Sequence, residues 1–133
     1  MAGHVELPGW INERTVERAF ARASEAQKRH EESLAECGMR AAMARDPRML
    51  LALEKGAEVI AAMVERQVGR YQRDTNTDYA HKAEMTELGL WRTAYEVADQ
   101  GVSGAGDQEA FYYKLYPYRW ILAGAAELAG LRA

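Results

Sequence analysis

Apolar residues in the first third of the chain recur at alternating steps of four and three positions. The series is Val16, Phe20, Ala23, Gln27, His30, Leu34, Cys37 and Ala41, with polar residues at only two of its places. This is the spacing by which one face of an α-helix packs along a neighbouring helix. The pattern therefore predicts one long amphipathic helix that needs helical partners.

The composition favours the same fold class. Alanine occupies 24 of the 133 positions, and Glu, Arg, Leu and Met, which also favour helix, are frequent. Ile and Phe, which favour strands, are scarce. A chain of this length is enough for one domain. We expect an irregular N-terminal arm over residues 1–10 and a single helical-bundle domain over residues 11–133.

Local signals divide this domain into four predicted helices. Asp46 and Pro47 end the first helix and start the second, because Asp caps a helix and Pro fits its first position. The three glycines of residues 101–106 end the third helix, and Asp107 caps the fourth. The capping residues of 74–78 separate the second helix from the third. We predict an all-α fold, an antiparallel four-helix bundle.

Two features of this layout allow alternatives. Nothing in residues 74–78 forbids a helix, so the second and third helices are either separate or one continuous rod. Pro117 removes a backbone donor and crowds the preceding turn, so the fourth helix is either kinked or split there.

The second predicted helix carries two neighbouring apolar stripes. One contains Leu50, Leu53, Ala57, Ile60, Val64, Val68 and Tyr71, and the other contains Met49, Ala52, Gly56, Val59 and Met63. A helix with two apolar faces is contacted from two directions, either within its own bundle or by another subunit. Together with the aromatic residues between positions 111 and 120, this surplus of apolar surface predicts a homo-oligomer.

The segment from Phe111 to Trp120 contains six aromatic side chains, half of the chain's two Phe, three Trp and seven Tyr. One helical line of this segment is expected to face the core, but the other rings surround the helix and cannot all be buried in a small monomer. Tyr and Trp suit interfaces because one end of each tolerates water. The segment is thus either core or a partner-binding surface, with candidate residues Tyr112, Tyr113, Tyr116, Arg119 and Trp120.

Two other kinds of site are alternatives. Asp78, His81 and Glu84 lie on one helical face and could ligate a metal in a metal-binding bundle or enzyme, although a di-iron bundle needs further Glu and His residues. A nucleic-acid-associated structural protein would use the cluster Arg66, Arg70 and Arg73 together with the tyrosines of residues 111–120. However, the chain has 17 basic and 20 acidic residues, a net charge of −3, without the basic excess typical of such proteins. We expect no metal or other cofactor.

Three further residues have structural interpretations. Cys37 is the only cysteine, which excludes an internal disulfide and suggests a small buried residue in a reducing compartment. Gln27 and His30 interrupt the apolar series as either a hydrogen-bonded polar layer or a pH-sensitive contact.

The sequence contains no catalytic, metal or nucleotide motif. The first residues lack the features of an export signal, and the run from Trp120 to Leu131 is too short to span a membrane. We therefore predict a small non-catalytic cytoplasmic protein that binds another protein, as an adaptor, assembly factor or inhibitor.

Overall fold

A computed structural model describes residues 7–71, 78–101 and 107–131, with the side chains of residues 67–84 outside the description. Within these ranges every regular element is a helix and no residue lies in a strand, so the all-α prediction is confirmed. The elements are α1 (Glu13–Arg29), α2 (Glu32–Met43), α3 (Pro47–Tyr71), α4 (Asp78–Gln100), α5 (Gln108–Leu115), a 3-10 turn (Tyr116–Tyr118) and α6 (Arg119–Leu128).

The number of helices differs from the prediction, since the described residues form five helical segments and not four when α5, the 3-10 turn and α6 are counted as one uninterrupted run. The first predicted helix is divided at His30, which has a left-handed backbone with φ 51° and ψ 49°. An L-residue in this conformation cannot continue a right-handed helix. The N–H of His30 closes α1 by donating to the carbonyls of Ala26 and Gln27, and α2 begins at Glu32.

This break overturns the interpretation of the polar residues in the apolar series. Gln27 and His30 are both exposed, so they form neither a buried polar layer nor a buried pH-sensitive contact. The buried face of α1 consists of Val16, Ala19, Ala23 and Ala26. The apolar series is thus interrupted as a packing face at Gln27 and His30, and it resumes in α2, where Leu34 and Ala41 are half-buried. Cys37 in α2 is buried, as predicted.

The other helix boundaries follow the local signals. Pro47 is the first residue of α3, and Gly101 follows α4 with a φ of 64°, a conformation that glycine adopts without strain. Pro117 lies in the 3-10 turn between α5 and α6, so the last predicted helix is split and not merely kinked. Residues 72–77, on which the continuity of α3 and α4 depends, lie outside the described residues.

Helices α3 and α4 form an antiparallel pair. Arg45 before α3 donates to the carbonyl of Asp99 at 2.6 Å, near the end of α4. Further along α3, a Cβ on Gly56 would lie 2.6 Å from the ring of Trp91, so the absence of a side chain lets the indole pack directly on the helix. Trp91 is fully buried and stacks edge-to-face on Phe20 of α1, with ring centroids 5.4 Å apart.

Helix α6 lies at the centre of the molecule. It packs on α1, α2 and α3, and all its residues from Trp120 to Ala126 are buried. Two glycines allow the close approach: a Cβ on Gly38 of α2 would overlap the carbonyl oxygen of Leu122, and one on Gly124 would lie 3.0 Å from the carbonyl oxygen of Ala19. A helix that is apolar on all sides is typical of such a buried position.

Both apolar stripes of α3 are covered within a single copy of the chain. Their described members are buried, apart from Leu50 and Met63, which are half-buried. The covering helices are α4 and α6, with smaller contributions from α1 and α2. The apolar surface of α3 therefore gives no support for a homo-oligomer. None of the described helices is both long enough and apolar enough to cross a membrane.

Candidate partner-binding surface

The aromatic segment is anchored in the core at both ends. Phe111 and Leu115 of α5 are 2% and 0% exposed and belong to the main hydrophobic core. After the 3-10 turn, Trp120 and Ile121 enter the buried face of α6. The backbone between these anchors is helical throughout. The side chains that point outward from it are therefore attached to a rigid backbone.

Three tyrosines on this base form what we call the tyrosine patch. The residues Tyr112, Tyr113 and Tyr116 are 39%, 63% and 42% exposed. The ring centroids of Tyr112 and Tyr113 are 5.6 Å apart in a T-shaped contact, and those of Tyr112 and Tyr116 are 5.9 Å apart. Elsewhere in the described structure, only Trp10 and Met85 are large apolar side chains with comparable exposure. The structure therefore brings three of the five predicted partner-binding residues together at the surface.

Arg119 is held at the edge of the tyrosine patch. Its guanidinium carbon lies 4.2 Å from the ring centroid of Tyr116 and 5.2 Å from that of Trp120. Its Nη1 donates to the carbonyl of Tyr116 at 3.2 Å. Cation–π contacts of this kind fix both the cation and the ring. Arg119 therefore gives the patch a positive charge in a defined place.

A notch separates the tyrosine patch from α2. Its volume is about 140 Å³, and its lining consists of Glu32, Ala35, Glu36, Met39, Tyr112, Tyr116 and Arg119. The two glutamates are exposed and make no ion pair with another described residue. The surface around the tyrosines thus combines apolar walls, one fixed cation and two free carboxylates.

Trp120, the fifth predicted residue, is only 9% exposed. Its indole packs with Ala26 and Ala35 in a small cluster, and the ring of His30 lies 6.5 Å away, edge to face. The structure therefore places Trp120 beneath the surface, where it supports Arg119. Its backbone belongs to the buried α6, whereas the tyrosines lie on α5 and the 3-10 turn.

Most of the residues proposed for other kinds of site have side chains outside the described part of the chain. Arg66 forms an ion pair with Glu13 of α1, and the side chains of Arg70 and Arg73 lie outside the described residues. So do the side chains of Asp78, His81 and Glu84. Among the side chains that the structure describes, no group of three or more His, Cys, Asp or Glu residues could hold a metal ion.

The sequence analysis missed a second surface, a groove of about 480 Å³ between α3 and α4. Its described lining is Glu54, Ala57, Glu58, Ala61, Ala62, Glu65, Arg92, Tyr95 and Glu96. The signal in the sequence was present but weak. Along α3, alanines at 57, 61 and 62 lie between glutamates at 54, 58 and 65, a pattern that also fits an ordinary solvated helix face.

Hydrogen bonds hold one end of this groove in place. The side chain of Lys55 is 8% exposed, and its Nζ lies 3.2 Å from a carboxylate oxygen of Glu54 and 3.2 Å from one of Glu58. Burial lowers the pKa of Lys55, but the hydrogen bonds to the two glutamates outweigh burial and leave the pKa raised. A hydrogen bond to Glu54, with burial, raises the pKa of Tyr95 to about 12. Tyr95 therefore stays protonated and ties α4 to α3.

Comparison of the chain with models of protein families, with curated proteins and with solved structures gave no match. The proposals that follow therefore depend on the geometry and chemistry of these two surfaces alone.

Proposed function

We propose that this chain is a small non-catalytic protein that acts by binding another protein through the tyrosine patch, as an adaptor, assembly factor or inhibitor. The observation that supports this function is the set of three adjacent, exposed tyrosine rings on a helical base anchored by Phe111 and Leu115. Tyr rings contribute large contact areas and are enriched among the residues that dominate binding energy.

The rigidity of the patch also supports a binding role. Ordering a mobile side chain on binding costs about 0.5–1.5 kcal/mol. The rings of Tyr112 and Tyr116 already contact each other, and Arg119 is held between Tyr116 and Trp120. Much of this ordering cost is therefore met before a partner arrives.

The proposal includes self-association through the same patch. An isologous dimer places one surface against its own copy, so the surface must be self-complementary. The patch has one cation, Arg119, beside the free carboxylates of Glu32 and Glu36. A two-fold contact could place Arg119 of one copy opposite the carboxylates of the other. We also propose a cytoplasmic location, which suits the buried free thiol of Cys37.

The test replaces the most exposed rings without touching the core. The double variant Tyr113→Ser/Tyr116→Ser removes two tyrosines, and Trp10→Ser is a matched control that removes an exposed ring on another surface. Light scattering across a concentration series measures the dimer dissociation constant. A hot-spot side chain contributes about 2 kcal/mol, which is about thirtyfold in the dissociation constant, so the double variant should weaken the dimer by about thirtyfold even if only one of its two rings is a hot spot.

The control should dimerise like the parent chain, and both variants should melt like it in circular dichroism. Affinity capture from the native host extends the test to other proteins, since a true partner must be lost with the double variant and kept with Trp10→Ser. If the parent chain is monomeric at every concentration and captures nothing that depends on the patch, this function is wrong. If the double variant unfolds, the rings belong to the core and the function is also wrong.

A further inference from the structure

The groove between α3 and α4 has a shape that fits another helix. Its floor is made of small side chains, Ala57, which is buried, and Ala61, which is half-buried, and the exposed Ala62 lies at its edge. On α3 the lining runs from Glu54 to Glu65, a length of about 16 Å or three helical turns at 1.5 Å per residue. Small residues let helix axes approach to the lower end of the usual range, about 8 Å. On α4 the described lining is Arg92, Tyr95 and Glu96, so the α3 side sets the length, which accommodates a helix of two to three turns.

The rim of the groove is acidic. Glu65 on α3 and Glu96 on α4 are exposed and make no ion pair with another described residue. Glu54 and Glu58 are held by Lys55. Arg92 is the one cation in the described lining, against four glutamates. An apolar floor between carboxylates calls for an occupant with the opposite charge on its flanks.

This charge pattern argues against a second copy of the chain as the occupant. A two-fold contact between two such grooves would bring together two linings that each hold four glutamates and one arginine, so carboxylates would face carboxylates. Like charges placed against each other at an interface cost roughly several kcal/mol of binding free energy. The groove thus differs from the tyrosine patch, whose mixed charges are self-complementary.

We infer that this groove binds a basic amphipathic helix of another protein. Large apolar side chains at positions i, i+3 or i+4, and i+7 of that helix would lie on the alanine floor, as in other helix-in-groove complexes. Lys or Arg residues on its flanks would pair with Glu65 on one side and Glu96 on the other. This site is separate from the tyrosine patch and does not depend on the function proposed for it.

Two synthetic peptides test the charge requirement. One is a fluorescein-labelled helix of about 14 residues, long enough to cover the groove, with Leu at the apolar positions and Lys elsewhere. The other has Glu in place of every Lys. Fluorescence anisotropy measures the dissociation constant of each with the full chain. We expect the Lys peptide to bind roughly tenfold more tightly than the Glu peptide, because two or more ion pairs form at the rim.

Matched variants test the location. Glu65→Gln/Glu96→Gln should weaken the Lys peptide by about fivefold to tenfold, since each exposed ion pair is worth up to about 1 kcal/mol. The control Glu17→Gln/Glu109→Gln removes two exposed carboxylates on other helices and changes the net charge equally. Ala62→Trp should obstruct the groove from its edge and abolish binding, whereas Ala21→Trp, at an exposed alanine of α1, should not.

The measurements decide between this site and its competitors. Equal binding of both peptides, or equal loss in both glutamate double variants, would mean general attraction to the chain and would overturn the inference. So would a self-association that Ala62→Trp abolishes, because a second copy would then occupy the groove. Tyr113→Ser/Tyr116→Ser should keep full affinity for the Lys peptide, whatever it does to self-association. Melting curves check that every variant is folded.

Discussion

Gly38 sets the distance between α2 and the central helix α6. Any Cβ at this position would overlap the backbone carbonyl of Leu122, and a backbone atom cannot rotate away as the end of a side chain can. By contrast, Gly89 on α4 has open space around the position of a Cβ. The two glycines therefore have opposite consequences for stability, although both lie within helices.

We predict that Gly38→Ala lowers the free energy of unfolding by about 2–3 kcal/mol, the usual cost of an overpacked core. Gly89→Ala is the matched control. It should raise the same quantity by about 0.5–1 kcal/mol, because Ala is the better helix former. Urea denaturation measures both. A Gly38→Ala chain as stable as the parent would show that α2 and α6 are further apart than described.

Glu87 is a half-buried carboxyl on α4, and burial raises its pKa above the ordinary value of 4.5. The folded chain therefore binds this proton more tightly than the unfolded chain does. Between pH 4.5 and the raised pKa, the contribution of Glu87 to the free energy of unfolding therefore falls as the pH rises.

We predict that Glu87→Gln stabilises the chain at neutral pH and that the gain disappears as the pH falls below 4.5. Thermal melting from acid to neutral pH measures the difference from the parent chain. Glu17→Gln, at an exposed position of α1, corrects for the loss of one negative charge. A gain that is the same at every pH would assign the effect to packing and not to the proton.

The roles of individual aromatic residues could be predicted only in part. Sequence position showed that some rings of the segment must reach the surface, and Tyr112, Tyr113 and Tyr116 do. It could not show that Trp120 is buried, because its direction depends on the 3-10 turn around Pro117 and on the position of α2. Partner-binding remains a prediction for all five residues.

At the scale of elements, the break between α1 and α2 has the largest effect on the architecture. His30 occupies a left-handed conformation that glycine or asparagine usually supplies. The backbone therefore turns at a residue that gives no local signal, whereas Asp46, Pro47 and Pro117 give clear ones. This is why the helix boundaries at the prolines were predicted and the one at His30 was not.

We predict that His30→Gly raises the free energy of unfolding by about 0.5–1 kcal/mol, because glycine adopts a positive φ without strain. The imidazole is exposed and makes only an edge contact with Trp120, so little packing is lost. Urea denaturation measures the gain. A clear loss of stability would mean that the ring contact outweighs the backbone strain.

At the scale of the whole molecule, α6 connects the parts of the core. It packs on α1, α2 and α3, while α1 and α2 have few contacts with each other. The small residues after Trp120 are visible in the sequence, but no local signal shows that the helix they form is central. Helices α4 and α6 cover both apolar stripes of α3 within one copy of the chain. In the sequence alone, the same two stripes also fit a subunit interface.

We predict that a chain ending after Tyr118 does not fold cooperatively. Without α6, the buried faces of α1 and α2 lose the surface on which both pack, and exposed apolar area of that extent removes the main driving force of folding. Circular dichroism should show a broad, non-cooperative melt. A sharp transition in the shortened chain would mean that the other helices form a core by themselves.

The central place of α6 has a consequence during synthesis. Ribosomes make the helices in order, so α1 to α5 emerge before the helix on which α1 and α2 pack. The nascent chain must therefore carry these apolar faces uncovered until α6 has left the exit tunnel, and in that interval chaperones and proteases can reach them.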